Sequence, residues 1–310
     1  MTGMSEIDAT PEQTLVPSEG LRLAAWQGPA TGPPVVFVHG FPDTHAVWRP
    51  VVERLADRFH CIAYDVRGAG ASESPSGRDG FHLSHLVTDL VAVIDTCAPD
   101  EPVHLVGHDW GSVQAWEAVF SESSDPRLKG RIASYTSISG PALAHLAAFA
   151  RAARRGDWHR KREWLLQLLR SWYVFAFQLP RLPEVGMRLY ARRMLATKNS
   201  AGWPADTLPH DAVRGLELYR ANLRGGSRNQ DAGGVPRVHG ARTRLPVQLV
   251  VPLRDRYLTP AATREVHRFV PNLTRVELDA GHWVQQTAPD QLAALIGDFA
   301  LASRTDTPRV

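Results

Sequence analysis

Residues 106–112 read Val-Gly-His-Asp-Trp-Gly-Ser, a Gly-x-acid-x-Gly turn with Asp109 at its apex. The run Val103 to Val106 before it is short and apolar, and Trp110 to Ser121 after it places Val113, Trp116 and Val119 at helical spacing. The expected context is a buried strand, a sharp turn and a helix, which lifts the side chain at the apex above the strand end. Such a turn crowds its neighbours, and Gly107, Gly111 and Ser112 are small enough to allow it. A serine in that place needs a base to activate it. A carboxylate, with a reference pKa of about 3.9, is ionised at neutral pH unaided. Its chemistry is attack on a saturated carbon that carries a leaving group, which gives an alkyl ester that activated water must then open. The substrate classes that fit are epoxides and alkyl halides.

Three further segments supply what that chemistry needs. Pro34 to Asp43, PVVFVHGFPD, is an apolar strand running into His-Gly-Phe-Pro, and the backbone amides of Phe41 and Trp110 are the expected oxyanion hole. Gln248 to Asp255, QLVVPLRD, is an apolar strand ending in Asp255, the acid expected to orient a histidine. The strand RIASYTSISG at Arg131 to Gly140 ends without a carboxylate. His282, in LDAGHW at Leu278 to Trp283, directly follows another strand and is the expected general base. Nucleophile, acid, histidine is the order along the chain of an α/β-hydrolase fold. A Gly/Ser-rich loop follows Tyr64 to Gly68.

In these segments the chain resembles the epoxide hydrolases of the α/β-hydrolase superfamily, through HGFP at His39 to Pro42, GHDWGS at Gly107 to Ser112 and GHWVQQTAPD at Gly281 to Asp290. The resemblance covers essentially the whole length. It implies a cis peptide at Phe41-Pro42, and two tyrosines that donate hydrogen bonds to the epoxide oxygen. Tyr173, in WYVFAFQLP, and Tyr219, in LELYRANL, match those two family positions. Two O–H donors facing a carboxylate stabilise the alkoxide of ring opening without a metal. A looser likeness is to the hydrolase half of actinobacterial epoxide hydrolase/short-chain dehydrogenase proteins, and no dehydrogenase half is expected within these residues. His39, Pro42, Trp172, Phe175 and Trp283 are the expected pocket residues. The aromatic content around the site favours an apolar, lipid-like epoxide.

Organisation supports this reading. Strand-like runs at Leu21 to Trp26, Val35 to Val38, Cys61 to Val66, Val103 to Val106, Ile132 to Ser137, Val247 to Val251 and Thr274 to Leu278 alternate with helical stretches such as Leu83 to Thr96 and Pro289 to Ala302. A mainly parallel sheet flanked by helices is expected. Residues 141–240 lack strands and read as a helical cap, with residues 1–140 and 241–310 as the hydrolase core. The cap carries 17 Lys+Arg against 7 Asp+Glu, although the whole chain is only +3. Its cluster RRGDWHRKREW at Arg154 to Trp164, with leucines after it, can rest on anionic lipid or draw in an anionic amphiphile, or can simply be a solvated helix face.

Composition narrows the partners. No nucleic-acid motif accompanies the basic segment. The polar first residues are unlike a signal peptide and no apolar run approaches the ~20 residues of a membrane span, so a cytoplasmic protein is expected. Cys61 and Cys97 are expected as buried free thiols. His82 and His85 lack a metal-site context, so neither a metal nor another cofactor is expected. Two rival functions share the features named so far. A haloalkane dehalogenase uses the same Asp and His, with the indole of Trp110 to hold the halide, but its second halide donor is missing where Phe41 stands. A fluoroacetate-type dehalogenase needs cations beside the turn, and HDWGSVQ has none. A noncatalytic binding protein or receptor on the same scaffold is the second rival, since fold does not fix function.

Overall fold

The computed structural model describes residues 11–199, 202–223 and 241–305. Its eight strands are β1 (Glu12–Ser18), β2 (Leu21–Gln27), β3 (Pro34–Val38), β4 (His60–Tyr64), β5 (Val103–His108), β6 (Ile132–Ile138), β7 (Val247–Pro252) and β8 (Leu273–Leu278). They form one sheet in the order β1-β2-β4-β3-β5-β6-β7-β8. The pairs β1/β2 and β2/β4 are antiparallel, and every other pair is parallel. The parallel centre explains why β3, β4, β5 and β7 are buried along their whole length. Helices cover both faces, so these strands read as unbroken apolar runs rather than alternations.

One face is packed by helices Leu83–Cys97 and Trp110–Ser121, whose Leu90, Ile94, Ala115 and Val119 join Val36, Leu105 and Leu249 in one core. The other face is packed by helices Arg49–Leu55 and Pro289–Thr305, where Leu55, Leu292 and Ile296 meet Val35, Phe37 and Val250. All seven expected strands are present. β1 is the addition, an edge strand in which only Val16 and Ser18 are buried and which contains Pro17, whose missing N–H an edge tolerates.

Between β6 and β7 the described residues hold helices only: Leu143–Arg155, Trp158–Arg170, Trp172–Ala176, Leu182–Leu195, Leu208–Arg214 and Leu216–Leu223. This insertion has a small core of its own, Met187, Ala191, Leu208, Ala212 and Leu216. It also adds Leu218 and Tyr219 to the core below. The expected cap also takes in residues 224–240, which lie outside the described residues, as do the first ten of the chain. No described helix is long and apolar enough to cross a membrane. Cys61 and Cys97 are free and buried, and burial pushes their thiols up to about 12 and about 11.

Candidate active site

The loops that follow β3, β5, β7 and β8 converge at the carboxyl ends of the parallel strands, where open α/β sheets place their ligands. Asp109 stands between β5 and the helix Trp110–Ser121 with φ 52 and ψ −123, a left-handed conformation that a non-glycine residue adopts only under constraint. The constraint is visible on both sides. The Asp109 N–H donates to the Ile138 carbonyl at 3.1 Å, and its own carbonyl accepts from Val113 N–H at 3.0 Å. A Cβ on Gly111 would lie 2.2 Å from the Val38 carbonyl oxygen, and one on Gly40 would lie 2.4 Å from the Asp109 Cβ. Glycine at both positions lets the His-Gly-Phe-Pro loop sit directly against the turn.

That contact delivers the Phe41 amide, which donates to Asp109 Oδ1 at 2.9 Å, and the Trp110 amide also hydrogen-bonds the carboxylate. The Phe41-Pro42 peptide is cis. The two amides expected to form an oxyanion hole therefore hold the Asp109 carboxyl group itself, at a helix N-terminus whose dipole favours negative charge. Burial pushes the Asp109 pKa upward, while the charge of His282 and the two amides pull it back, and the balance lies above the usual carboxylate value.

His282 and Asp255 form the second unit. Asp255 Oδ1 accepts from the Tyr257 N–H at 2.7 Å and the Leu258 N–H at 3.1 Å, which leaves Oδ2 for His282 Nδ1 at 2.9 Å. Burial alone would raise the Asp255 pKa, but the hydrogen bond and charge of His282 and the two amides outweigh it, and the group lies below its ordinary value. With the proton on Nδ1, Nε2 is the basic nitrogen, and it faces Asp109 Oδ2 at 3.8 Å. That distance is too long for a hydrogen bond, so the imidazole addresses the carboxyl group without occupying it. Burial works to lower the His282 pKa, yet the Asp255 hydrogen bond and the charges of Asp255, Asp109 and Asp43 raise it overall. Beneath it, Gln285 Nε2 donates to His108 Nδ1 at 3.1 Å, so His108 Nε2 carries the proton that reaches the His282 carbonyl at 3.0 Å. This fixes the backbone from which the imidazole projects.

Opposite this unit lies the insertion. Tyr173 and Tyr219 line, with Asp109 and His282, a largely apolar cavity of about 780 Å³. Burial and the nearby Asp109 charge push both phenols upward, so each stays a neutral O–H donor. Pro42, Trp172 and Trp283 line the same cavity, as expected from the sequence. Two expected pocket residues do not. His39 is buried beneath the site, its Nδ1 at 2.9 Å from the Gly40 carbonyl and its Nε2 accepting from Val66 N–H at 2.9 Å, so it ties two loops together. Phe175 is on the outer face of its short helix, 65% exposed, because the neighbouring Tyr173 and Phe177 take the inward positions. Trp110 likewise does not line the cavity, and its ring packs edge-on against Tyr219 with centroids 4.9 Å apart.

The alpha/beta hydrolase fold family model matches residues 33–289. The chain belongs to the alpha/beta hydrolase fold family. The chain is similar to the Probable oxidoreductase EphD of Mycobacterium tuberculosis, 36% identical over 294 residues, which cover 91% of this chain and 48% of EphD. The chain thus spans about half the length of that relative. It is also similar to Epoxide hydrolase A of Mycobacterium tuberculosis, 27% identical over 334 residues, covering 93% of this chain and 97% of that protein. A solved structure described among novel epoxide hydrolases of the alpha/beta hydrolases superfamily, from metagenomes of hot environments, superposes with a TM-score of 0.71 at 26% identity over 94% of this chain and 99% of that one.

Within this hydrolase frame, two site residues escape sequence reasoning. Tyr257, two positions after Asp255, lines the cavity and stacks edge-on against His282 with ring centroids 4.7 Å apart. Asp43 is buried and accepts from two indoles, Trp203 Nε1 at 2.8 Å and Trp283 Nε1 at 2.9 Å, so it joins the insertion to the residue beside His282. Burial pushes its pKa up to about 6 against the pull of both indoles and His282. The signal for Asp43 lay in its place directly after His-Gly-Phe-Pro. Among the described residues no group of three His, Cys, Asp or Glu side chains is placed to hold a metal ion.

Proposed function

We propose that this chain is an epoxide hydrolase that works through an ester on Asp109. Asp109 attacks one epoxide carbon, the C–O bond breaks, and Tyr173 and Tyr219 stabilise and protonate the departing oxygen. His282, oriented by Asp255, then takes a proton from water, and the resulting hydroxide adds to the Asp109 carboxyl carbon. The Phe41 and Trp110 amides hold the oxyanion of that tetrahedral species. Its collapse releases the vicinal diol and restores the carboxylate, while the proton on His282 returns to the tyrosine oxygen.

The observation that carries this reading is the placement of two neutral phenols across an apolar cavity from a carboxylate that has a separate, oriented base behind it. A serine-type hydrolase has no use for such donors. A dehalogenase needs an indole beside the nucleophile to hold the halide, and Trp110 is not among the residues lining the cavity. The names of the relatives point the same way.

Residues 141–240, helical where described, act as the cap over a core made of residues 1–140 and 241–310. The cavity lining favours an apolar, lipid-like epoxide, with no cofactor and no nucleic-acid partner. Two buried, unpaired cysteines suit a reducing cytoplasm. Incubation with terminal, aryl and fatty-acid epoxides beside haloalkanes, with detection of diol, alcohol and halide, tests the reading. Diol from an apolar epoxide supports it, and halide release without diol overturns it.

A further inference from the structure

The outer surface of the insertion combines two properties that a water-exposed face does not need together. Around the cavity mouth, large apolar side chains point outward: Leu169 is 61% exposed, Trp172 67% and Leu182 68%. The pattern extends along both flanking helices. On Trp158–Arg170 the exposed stripe is Trp158, Arg162, Leu165 and Leu169, and on Leu182–Leu195 it is Leu182, Val185 and Leu189, which also line the open cavity, followed by Arg192, each at helical spacing. Exposed apolar patches of more than a few hundred Å² mark places where something else docks.

The second property is unbalanced positive charge. The acidic side chains of the described insertion are all engaged: Asp157 caps its helix, Glu163 pairs with Arg264, Glu184 and Glu217 with Arg220, Asp206 with Lys198, and Asp211 is buried against Thr207. Lys161, Arg162, Arg181, Arg192 and Arg193 are exposed and have no carboxylate partner among the described residues. Leucines on an outward stripe between unpaired cations match a surface whose own face is anionic and whose interior is apolar.

We infer that this face docks on an anionic phospholipid bilayer, with the arginines at the phosphate level and the apolar rim of the cavity mouth among the acyl chains. A second copy of the chain is the weaker occupant. A two-fold interface sets the same patch against itself, so unpaired arginines would face unpaired arginines. The docked orientation points the cavity mouth into the bilayer, which gives an apolar epoxide a path to Asp109 without crossing water; this consequence rests on the proposed reaction, whereas the docking does not.

Flotation with vesicles tests the docking without turnover. The intact chain is expected to float with vesicles of equimolar phosphatidylcholine and phosphatidylglycerol, to float far less with phosphatidylcholine alone, and to be released by salt. Each arginine near such a surface is worth about fivefold in partition, so Arg162→Gln, Arg192→Gln and Arg193→Gln together should weaken it by about 100-fold. Leu165→Asp should lower binding independently, with circular dichroism and the urea midpoint unchanged. The Asp109→Ala protein should float as the unaltered chain does, which separates docking from catalysis. Equal binding to neutral vesicles, or an unchanged partition in the triple variant, overturns the inference. Absence of vesicle binding alongside a concentration-dependent dimer that Leu165→Asp abolishes assigns the face to a second copy.

Discussion

Replacing Asp255 by Asn changes one atom, and the surrounding hydrogen bonds determine where that atom goes. Oδ1 is gripped by the Tyr257 and Leu258 amides at 2.7 and 3.1 Å, so the asparagine oxygen must take that place. Its NH₂ then faces His282 Nδ1, where a carboxylate oxygen stood at 2.9 Å. A donor in that position forces Nδ1 to accept, which moves the imidazole proton to Nε2, the nitrogen that must take a proton from water. The wrong tautomer of a triad histidine costs on the order of 10⁴-fold in rate, about 5 kcal/mol in barrier. Formation of the ester should change far less, because the Asp109 carboxylate is held by the Phe41 and Trp110 amides and lies 3.8 Å from His282 Nε2. Single-turnover experiments with rapid quench and intact-mass detection separate the two steps. The variant should form the ester within a few-fold of the normal rate and then retain it. A hydrolysis rate lowered by less than about tenfold, or equal losses in both steps, would refute the tautomer argument.

Tyr173→Phe and Tyr219→Phe should each slow ester formation about tenfold or more, and the pair should nearly stop it, since each removes one donor to the developing alkoxide; stopped-flow tryptophan quenching follows the step, and unchanged rates in both single variants would return the two residues to a packing role. Because the neutral imidazole is the base, ester hydrolysis should climb with pH as His282 loses its proton, and its midpoint should lie below the pKa of His282 in the free enzyme, where the Asp109 charge adds to the pull of Asp255. The stability that the His282 imidazolium gains from its carboxylate neighbours runs the opposite way, full below the unfolded value and lost as pH rises through the folded one; ester hydrolysis that does not rise with pH would contradict the assignment. Arg67 is buried and holds the buried Asp89 through two hydrogen bonds at 2.6 and 2.7 Å. Arg67→Ala leaves that carboxylate unpaired and should cost about 3–5 kcal/mol in urea unfolding.

The central sheet was legible because its strands are buried on both faces and bounded by glycine-rich or acidic loop signals, which apolar runs reveal directly. β1 was not, since only two of its seven residues are buried and Pro17 interrupts its pattern. Asp109, Asp255 and His282 were legible from their order after strands. For Asp43 the sequence offered only its place after His-Gly-Phe-Pro, because the indole of Trp203 reaches it from 160 positions away, and local sequence does not encode such a pairing. His39 was assigned to the pocket because it belongs to the His-Gly-Phe-Pro motif, yet a side chain in a tight loop can face the scaffold as readily as the cavity. Trp110 carries the same lesson: its amide serves the site while its ring packs against Tyr219.

The origin of the product oxygen tests the central claim most directly. Opening of an Asp109 ester at its carboxyl carbon places a former carboxylate oxygen in the diol and leaves the water oxygen on the enzyme. A single turnover with enzyme in excess, in heavy-oxygen water, should give mostly unlabelled diol and a label on the peptide containing Asp109. Labelled diol with an unlabelled Asp109 peptide would contradict covalent catalysis by this carboxylate, even in a chain that hydrolyses epoxides.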